Sequence, residues 1–492
     1  MKALLLAAAL AAPHDGEARR ALDLVYQGRL DASLQQLARL GQQHPDDPLL
    51  AYLQALAMVW KVEQLGTEAL DRELLRRVDH AVSLADQRLR AAPRDTRALL
   101  ARGAAHGVRS RYHFLRLERT GAARAGVRMR EDLLRVREME PENVDAFFGL
   151  GLYDYYADVL SPLARVVRFV ARMPGGDRRR GLELIGRARG SAWHDVEVQA
   201  QLYDIHAFWE QLPDRALAAA RALRQRYPGW PLWGLRLCEH LRQRMGLYGE
   251  SARVAREMLA QGARGEPNYA GASVHRARLE LGEALLLDLR LDEARAELAP
   301  LAGTPAAAHA RLLLGRAAEM AGDRAGALAE YRQAAAAAGD RQLRKRAEQA
   351  AARALPAPQV RAVPLLAQAR RAREAGQRDA AAQLYRQALQ AWPGSEEAAV
   401  RVAEAELARG DLAAARRALD TAERPDHPQP PWVAGWALLL RAQLRDLDGQ
   451  RAAAVSAYKK VLETPYGQDE LAGRAADGVR RAFRLSADPP AR

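Results

Sequence analysis

Along this chain, small apolar residues, large apolar residues and polar stretches return in a fixed order. In the C-terminal half, Gly376, Ala381, Tyr385 and Ala388 come back as Gly410, Ala415, Leu419 and Ala422, each 34 residues later. Leu314-Gly315, Gly322, Ala327, Tyr331 and Ala334 form a similar set, as do Gly449, Ala454, Tyr458 and Pro465. Upstream, Leu281-Gly282 with Ala294 precedes Gly315 with Ala327 by 33 residues. Gly or Ala at a helix crossing lets two backbones approach, where a larger side chain would overpack the contact. The pattern therefore predicts two antiparallel helices per repeat, stacked on their neighbours so that successive pairs share one core.

The N-terminal third follows a longer rule. Pro45, Pro93 and Pro141 are 48 residues apart and open similar loops: His44-Pro45-Asp46-Asp47, Ala92-Pro93-Arg94-Asp95 and Glu140-Pro141-Glu142-Asn143. A proline cannot continue the helix before it, so each one closes a unit and starts the next. Pairing Ala55 with Ala81 and Gly103 with Met129 across the crossing lengthens each helix by about two turns. The period, the small crossing residues and the closing prolines resemble the tetratricopeptide repeat. The predicted fold is all-α, an α-α superhelix of about eleven helix pairs, and the resemblance implies a surface that binds other proteins.

The domain reading follows from register. Residues 13–355 form a larger array with lengthened helices, and residues 359–485 a second array. The break falls at Ala354-Leu355-Pro356-Ala357-Pro358. Arg341–Leu355 reads as an extra helix and Asp469–Arg484 as a capping helix that shields the last apolar face. Residues 486–492 read as a disordered tail.

One segment breaks the rule. Phe147, Gly149, Leu150 and Gly151 start a helix in register with Pro141, yet the matching position, Gly181, comes 30 residues after Gly151. An insert over 157–175 accounts for the excess. It alternates Val166, Val167, Phe169 and Val170 with Arg165, Arg168 and Arg172, which fall on one helical face. Such an element can fill the array's own groove, dock a partner or lie on an anionic membrane surface. Arg165, Arg168, Phe169 and Arg172, with Tyr155 and Tyr156 beside them, are the candidate partner-binding residues; the tyrosines also read as packing residues. The run Gly149-Leu150-Gly151-Leu152-Tyr153, then Ser161-Pro162, then Gly176-Asp177-Arg178 and Gly181 resembles the Iml2 and tetratricopeptide-39 family and related bacterial repeat proteins. That resemblance implies a shared repeat architecture and no catalytic residues.

Composition agrees with helices: 49% of residues are apolar and only 6% aromatic. The net charge of +14 would suit nucleic acid, but the cations are nearly all arginine, with five lysines (Lys2, Lys61, Lys345, Lys459, Lys460), and are spread among 61 acidic residues. A single cysteine, Cys238, rules out an intrachain disulfide and a thiolate zinc site. Lys2, the apolar run Ala3–Ala12 and the small-x-small Ala9-Leu10-Ala11 read as a secretory signal over residues 1–12, and so as export to a bacterial periplasm.

No metal-binding His-Glu-x-x-His run, phosphate-cradling glycine loop or nucleophile elbow occurs. Acid pairs such as Glu396-Glu397 fall at helix starts, where negative charge complements the helix dipole. The reading is a non-catalytic scaffold without metal or cofactor, holding a protein or peptide partner in its concave groove, with oligomeric state left open. The alternative is a basic cytoplasmic α-solenoid that binds nucleic acid.

Overall fold

The computed structural model describes residues 12–66, 68–159, 174–421 and 430–485. They form twenty-four α-helices, with no strand among the described residues. The chain divides into two compact units, Met1–Leu202 and Tyr203–Arg492.

The first unit opens with α1 (Asp15–Tyr26), α2 (Leu30–Gln43), α3 (Pro48–Leu65) and α4 (Asp71–Ala91). It continues with α5 (Thr96–Leu115), α6 (Arg119–Met139), α7 (Val144–Asp158) and α8 (Arg178–Arg187), and α9 (Asp195–Asp204) holds the boundary. The 48-residue rhythm has a local cause. Asp47, Asp95 and Asn143 each cap a helix, their side chains accepting from the backbone N–H of Leu49 (3.0 Å), Ala98 (2.9 Å) and Asp145 (3.1 Å). Such caps satisfy N–H groups that the first turn leaves without partners. The lengthening falls on α3 to α6, of 18, 21, 20 and 21 residues, against 12 and 14 for α1 and α2.

The register of the long pair α5/α6 differs from the sequence reading by one turn. A Cβ on Gly103 would stand 3.1 Å from Leu133, and within this pair it is Gly107 that meets Met129. An antiparallel pair satisfies both contacts at once, which a single Gly103–Met129 match does not. The pairing of Gly151 with Gly181 holds: a Cβ on Gly151 would lie 2.8 Å from the Gly181 carbonyl, and one on Gly181 2.5 Å from the Tyr155 nitrogen.

The second unit runs through α10 (Pro213–Arg226), α11 (Pro231–His240), α12 (Tyr248–Ala263), α13 (Ala272–Leu287) and α14 (Leu291–Leu298). Next come α15 (Ala307–Met320), α16 (Arg324–Ala337) and α17 (Arg341–Ala352), then α18 (Ala357–Glu374), α19 (Arg378–Ala391), α20 (Glu396–Ala408) and α21 (Leu412–Thr421). Helices α22 (Trp432–Leu447), α23 (Arg451–Glu463) and α24 (Asp469–Arg480) complete it. In chain order α1 to α8 make four pairs, and α11 to α16 with α18 to α23 make six more; α9 spans the boundary between the units and α10 follows it, and α17 and α24 stand single. The recurring Gly322, Gly376, Gly410 and Gly449 prove to be turn residues between paired helices, with φ of 89°, 74°, 81° and 76°. Only glycine takes that conformation at no steric cost.

Within this unit the later pairs seat on the earlier ones. Asp214 accepts from the backbone N–H groups of Tyr466 (3.1 Å) and Gly467 (2.6 Å). Arg370 donates to the Leu287 carbonyl at 2.8 Å. A Cβ on Gly246 would stand 2.8 Å from Pro431. Leu289 joins the core of α18 to α24, around Trp436, Tyr385 and Tyr458.

Candidate partner-binding surfaces

In the first unit, residues 191–197 lie against helices that open the first four pairs. The Glu197 carboxylate, buried, accepts from Tyr26 Oη of α1 (3.1 Å), Trp60 Nε1 of α3 (2.5 Å) and Arg111 Nη1 of α5 (3.0 Å). Arg111 also grips Glu63 through two bonds of 2.6 Å and lies 4.3 Å over the Trp60 ring. One turn earlier, Asp145 of α7 accepts from the Ser191 hydroxyl and from the Trp193 N–H at 3.3 Å. His194 Nε2 and Tyr52 Oη of α3 are 2.9 Å apart, and Phe148 stacks on the imidazole at 5.4 Å. Burial opposes ionisation of Asp145, yet His194 and Ser191 beside it hold its carboxyl below the usual range. Burial raises the Tyr52 hydroxyl well above its ordinary value, and the charges of Glu197 and Asp145 add to the shift. This face of the first unit is covered by the protein's own chain.

The second unit carries an arginine–tryptophan cluster. Arg401 of α20 is buried, 4.5 Å over Trp432 and 4.6 Å over Trp436. Glu404 receives Arg401 (3.0 Å), Arg373 (3.1 Å) and Arg474 (3.2 Å). Glu404 is held below its ordinary pKa, those three cations outweighing the cost of burial. Arg370 forks onto Glu397 at 2.8 and 2.6 Å. The acid pair at the start of α20 is thus not explained by the helix dipole alone: Glu397 is an ion-pair member, and Glu396 is buried with Oε1 unpartnered among the described residues. Burial pushes the Glu396 carboxyl up to about 7.

Of the residues named from sequence, Arg165, Arg168, Phe169 and Arg172 lie outside the described residues, with most of the 157–175 insert. Tyr155 is fully buried and meets Tyr156 edge-on at 5.2 Å. Tyr156 is half-buried, its hydroxyl accepting from Gln201 Nε2 at 2.7 Å. Cys238 is buried, and burial pushes its thiol far above the ordinary value. Among the described residues no group of His, Cys, Asp and Glu could hold a metal ion, and no helix is long and apolar enough to cross a membrane.

Sequence reasoning missed the exposed basic side of α17. Arg341, Arg344, Lys345 and Arg346 are all exposed, beside an open groove of about 480 Å³ lined by Gly339, Arg341, Arg344, Lys345 and Glu348. The signal was present, as four cations in six positions, but an arginine-rich chain hides it.

The elements define an all-α array of stacked helix hairpins. Residues 372–444 match the family described as tetratricopeptide repeat, so that stretch carries tetratricopeptide repeats. That match does not reach residues 149–182. No curated protein matches the chain. Among solved structures, the Cut9–Hcn1 hetero-tetramer of APC/C is similar at 13% identity, over 97% of this chain and 98% of that one, with a TM-score of 0.26. A monomeric mutant of IFIT1 with Gppp-AAAA is similar at 13% identity, over 90% and 79%, with a TM-score of 0.28. Naa15/Naa10 bound to HypK-THB is similar at 13% identity, over 96% and 79%, with a TM-score of 0.20. Similarity at this level assigns no partner.

Proposed function

We propose that this protein is a non-catalytic scaffold that binds other proteins, exported to the bacterial periplasm. The observation that carries the scaffold reading is the tetratricopeptide match at residues 372–444, set in a chain of successive helix pairs. Helix pairs of this kind offer long surfaces for recognition. Because residues 191–197 cover the first-helix face of the first unit, partner contact there belongs to its exposed sides. The export reading rests on Lys2, the apolar run Ala3–Ala12 and the small residues of Ala9-Leu10-Ala11.

The test is crosslinking and co-purification from native cells, with intact mass measured on the recovered chain. The expected result is a protein partner on a chain lacking its first residues. Recovery of nucleic acid on a chain that keeps Met1 would overturn both parts. Repeating the capture with Arg165, Arg168 and Arg172 changed to Glu asks whether the insert belongs to the contact; an unchanged partner set removes it.

A further inference from the structure

Helix α17 stands alone between α16 and the start of α18, with no second helix of its own. It buries Leu343 and Ala347 against Tyr331, Ala334 and Ala338. Its ends are fixed. Asp340 caps the start, accepting from the N–H groups of Gln342 (3.1 Å) and Leu343 (2.9 Å). At the other end Arg324 donates to the carbonyls of Ala350 (3.3 Å) and Ala351 (2.5 Å), and Glu319 accepts from the Leu355 N–H at 3.1 Å. On the side left open, Arg341, Arg344 and Lys345 line the groove with Glu348, Arg346 is exposed on the flank of the helix, and Asp340 at the cap is the other exposed carboxylate. Nearby arginines are neutralised, Arg324 by Glu319 and Arg311 by Glu330 at 3.1 Å. None of the four cations of α17 has an ion-pair partner among the described residues.

We infer that the open side of α17 is a docking face for an acidic helical segment of a partner protein. The charge is complementary, and cations at steps of three and four match carboxylates spaced i, i+3 and i+4 on a facing helix. The face is preorganised by its two anchored ends, so little ordering is lost on binding. Phosphate polymers fit it less well. The helix carries no aromatic side chain on which bases could stack.

The inference rests on the scaffold reading and names the partner's chemistry. The experiment uses the full chain and a fluorescent glutamate-rich helical peptide about as long as α17, with oligothymidylate of similar charge as the competitor. Reversing the face (Arg341→Glu, Arg344→Glu, Lys345→Glu, Arg346→Glu) is expected to weaken peptide binding by at least about ten-fold. Arg124→Glu with Arg128→Glu, exposed on α6, should change it less than about two-fold. The milder pair Arg344→Gln and Lys345→Gln, with circular dichroism of every variant, separates lost charge from lost fold. Equal weakening by the α6 control, or no weakening by reversal of α17, overturns the inference. Native partner capture that survives reversal of α17 sinks the docking face while leaving the scaffold standing. Oligothymidylate bound more tightly than the peptide, and lost on reversal, sinks both.

Discussion

At Gly151 and Gly181 two helix backbones touch, and no neighbouring group can yield. A methyl on Gly181 would sit 2.5 Å from the Tyr155 nitrogen, which is backbone and cannot rotate away. Gly181→Ala should therefore destabilise the first unit by about 1–3 kcal/mol, read as a lower urea midpoint; an unchanged midpoint would mean the helices can separate freely. Glu396 offers a test of a different kind. The unfolded chain ionises this carboxyl near its ordinary value of 4.5, whereas the folded chain holds the proton up to about 7. Between those values the folded state binds more protons, so stability falls as pH rises and levels off above the upper one. Glu396→Gln should flatten that decline, and denaturation midpoints compared at about pH 5 and about pH 8 report it. Parallel profiles for the two proteins would show that Glu396 does not cause the slope.

At the scale of elements, the arginine forks hold what periodicity cannot. Arg111 links Glu63 on α3 with Glu197 in the first turn of α9. Removing it takes the fork from Glu63 and leaves the buried Glu197 with only the neutral donors Tyr26 and Trp60 among the described residues, at a cost of about 3 kcal/mol. Arg111→Ala is expected to raise amide exchange across residues 191–197 and α1 to α3 first; uniform exchange across the unit would count against a local clamp. The helices themselves were readable because each element states its own ends: Asp47, Asp95 and Asn143 start helices, and Gly376 and Gly410 end them. The contacts of Glu197 were not readable, because its partners lie 86 to 171 residues away in the chain. The one-turn error at Gly103 has the same root. Small residues mark that two helices cross, but Leu133 and Met129 together decide where.

For the whole molecule, the architecture was legible from repetition. The surface was less so. A net charge of +14 states nothing about which cations are free; only in three dimensions does Arg324 turn to Glu319 while Arg346 stays open. The candidate residues of the insert rest on sequence alone, so their test is biochemical. The matched caps Asp47, Asp95 and Asn143 also make the long hairpins interchangeable in principle. Cutting out residues 48–95 would join Asp47 to Thr96, again an acidic cap ahead of a helix. A gene that lost or doubled this stretch by recombination would still encode properly started helices, so such chains can change length in whole hairpins. Helical signal per residue kept in the shortened protein, by circular dichroism, is the outcome that idea requires; its loss would mean that neighbouring hairpins are fitted to one another.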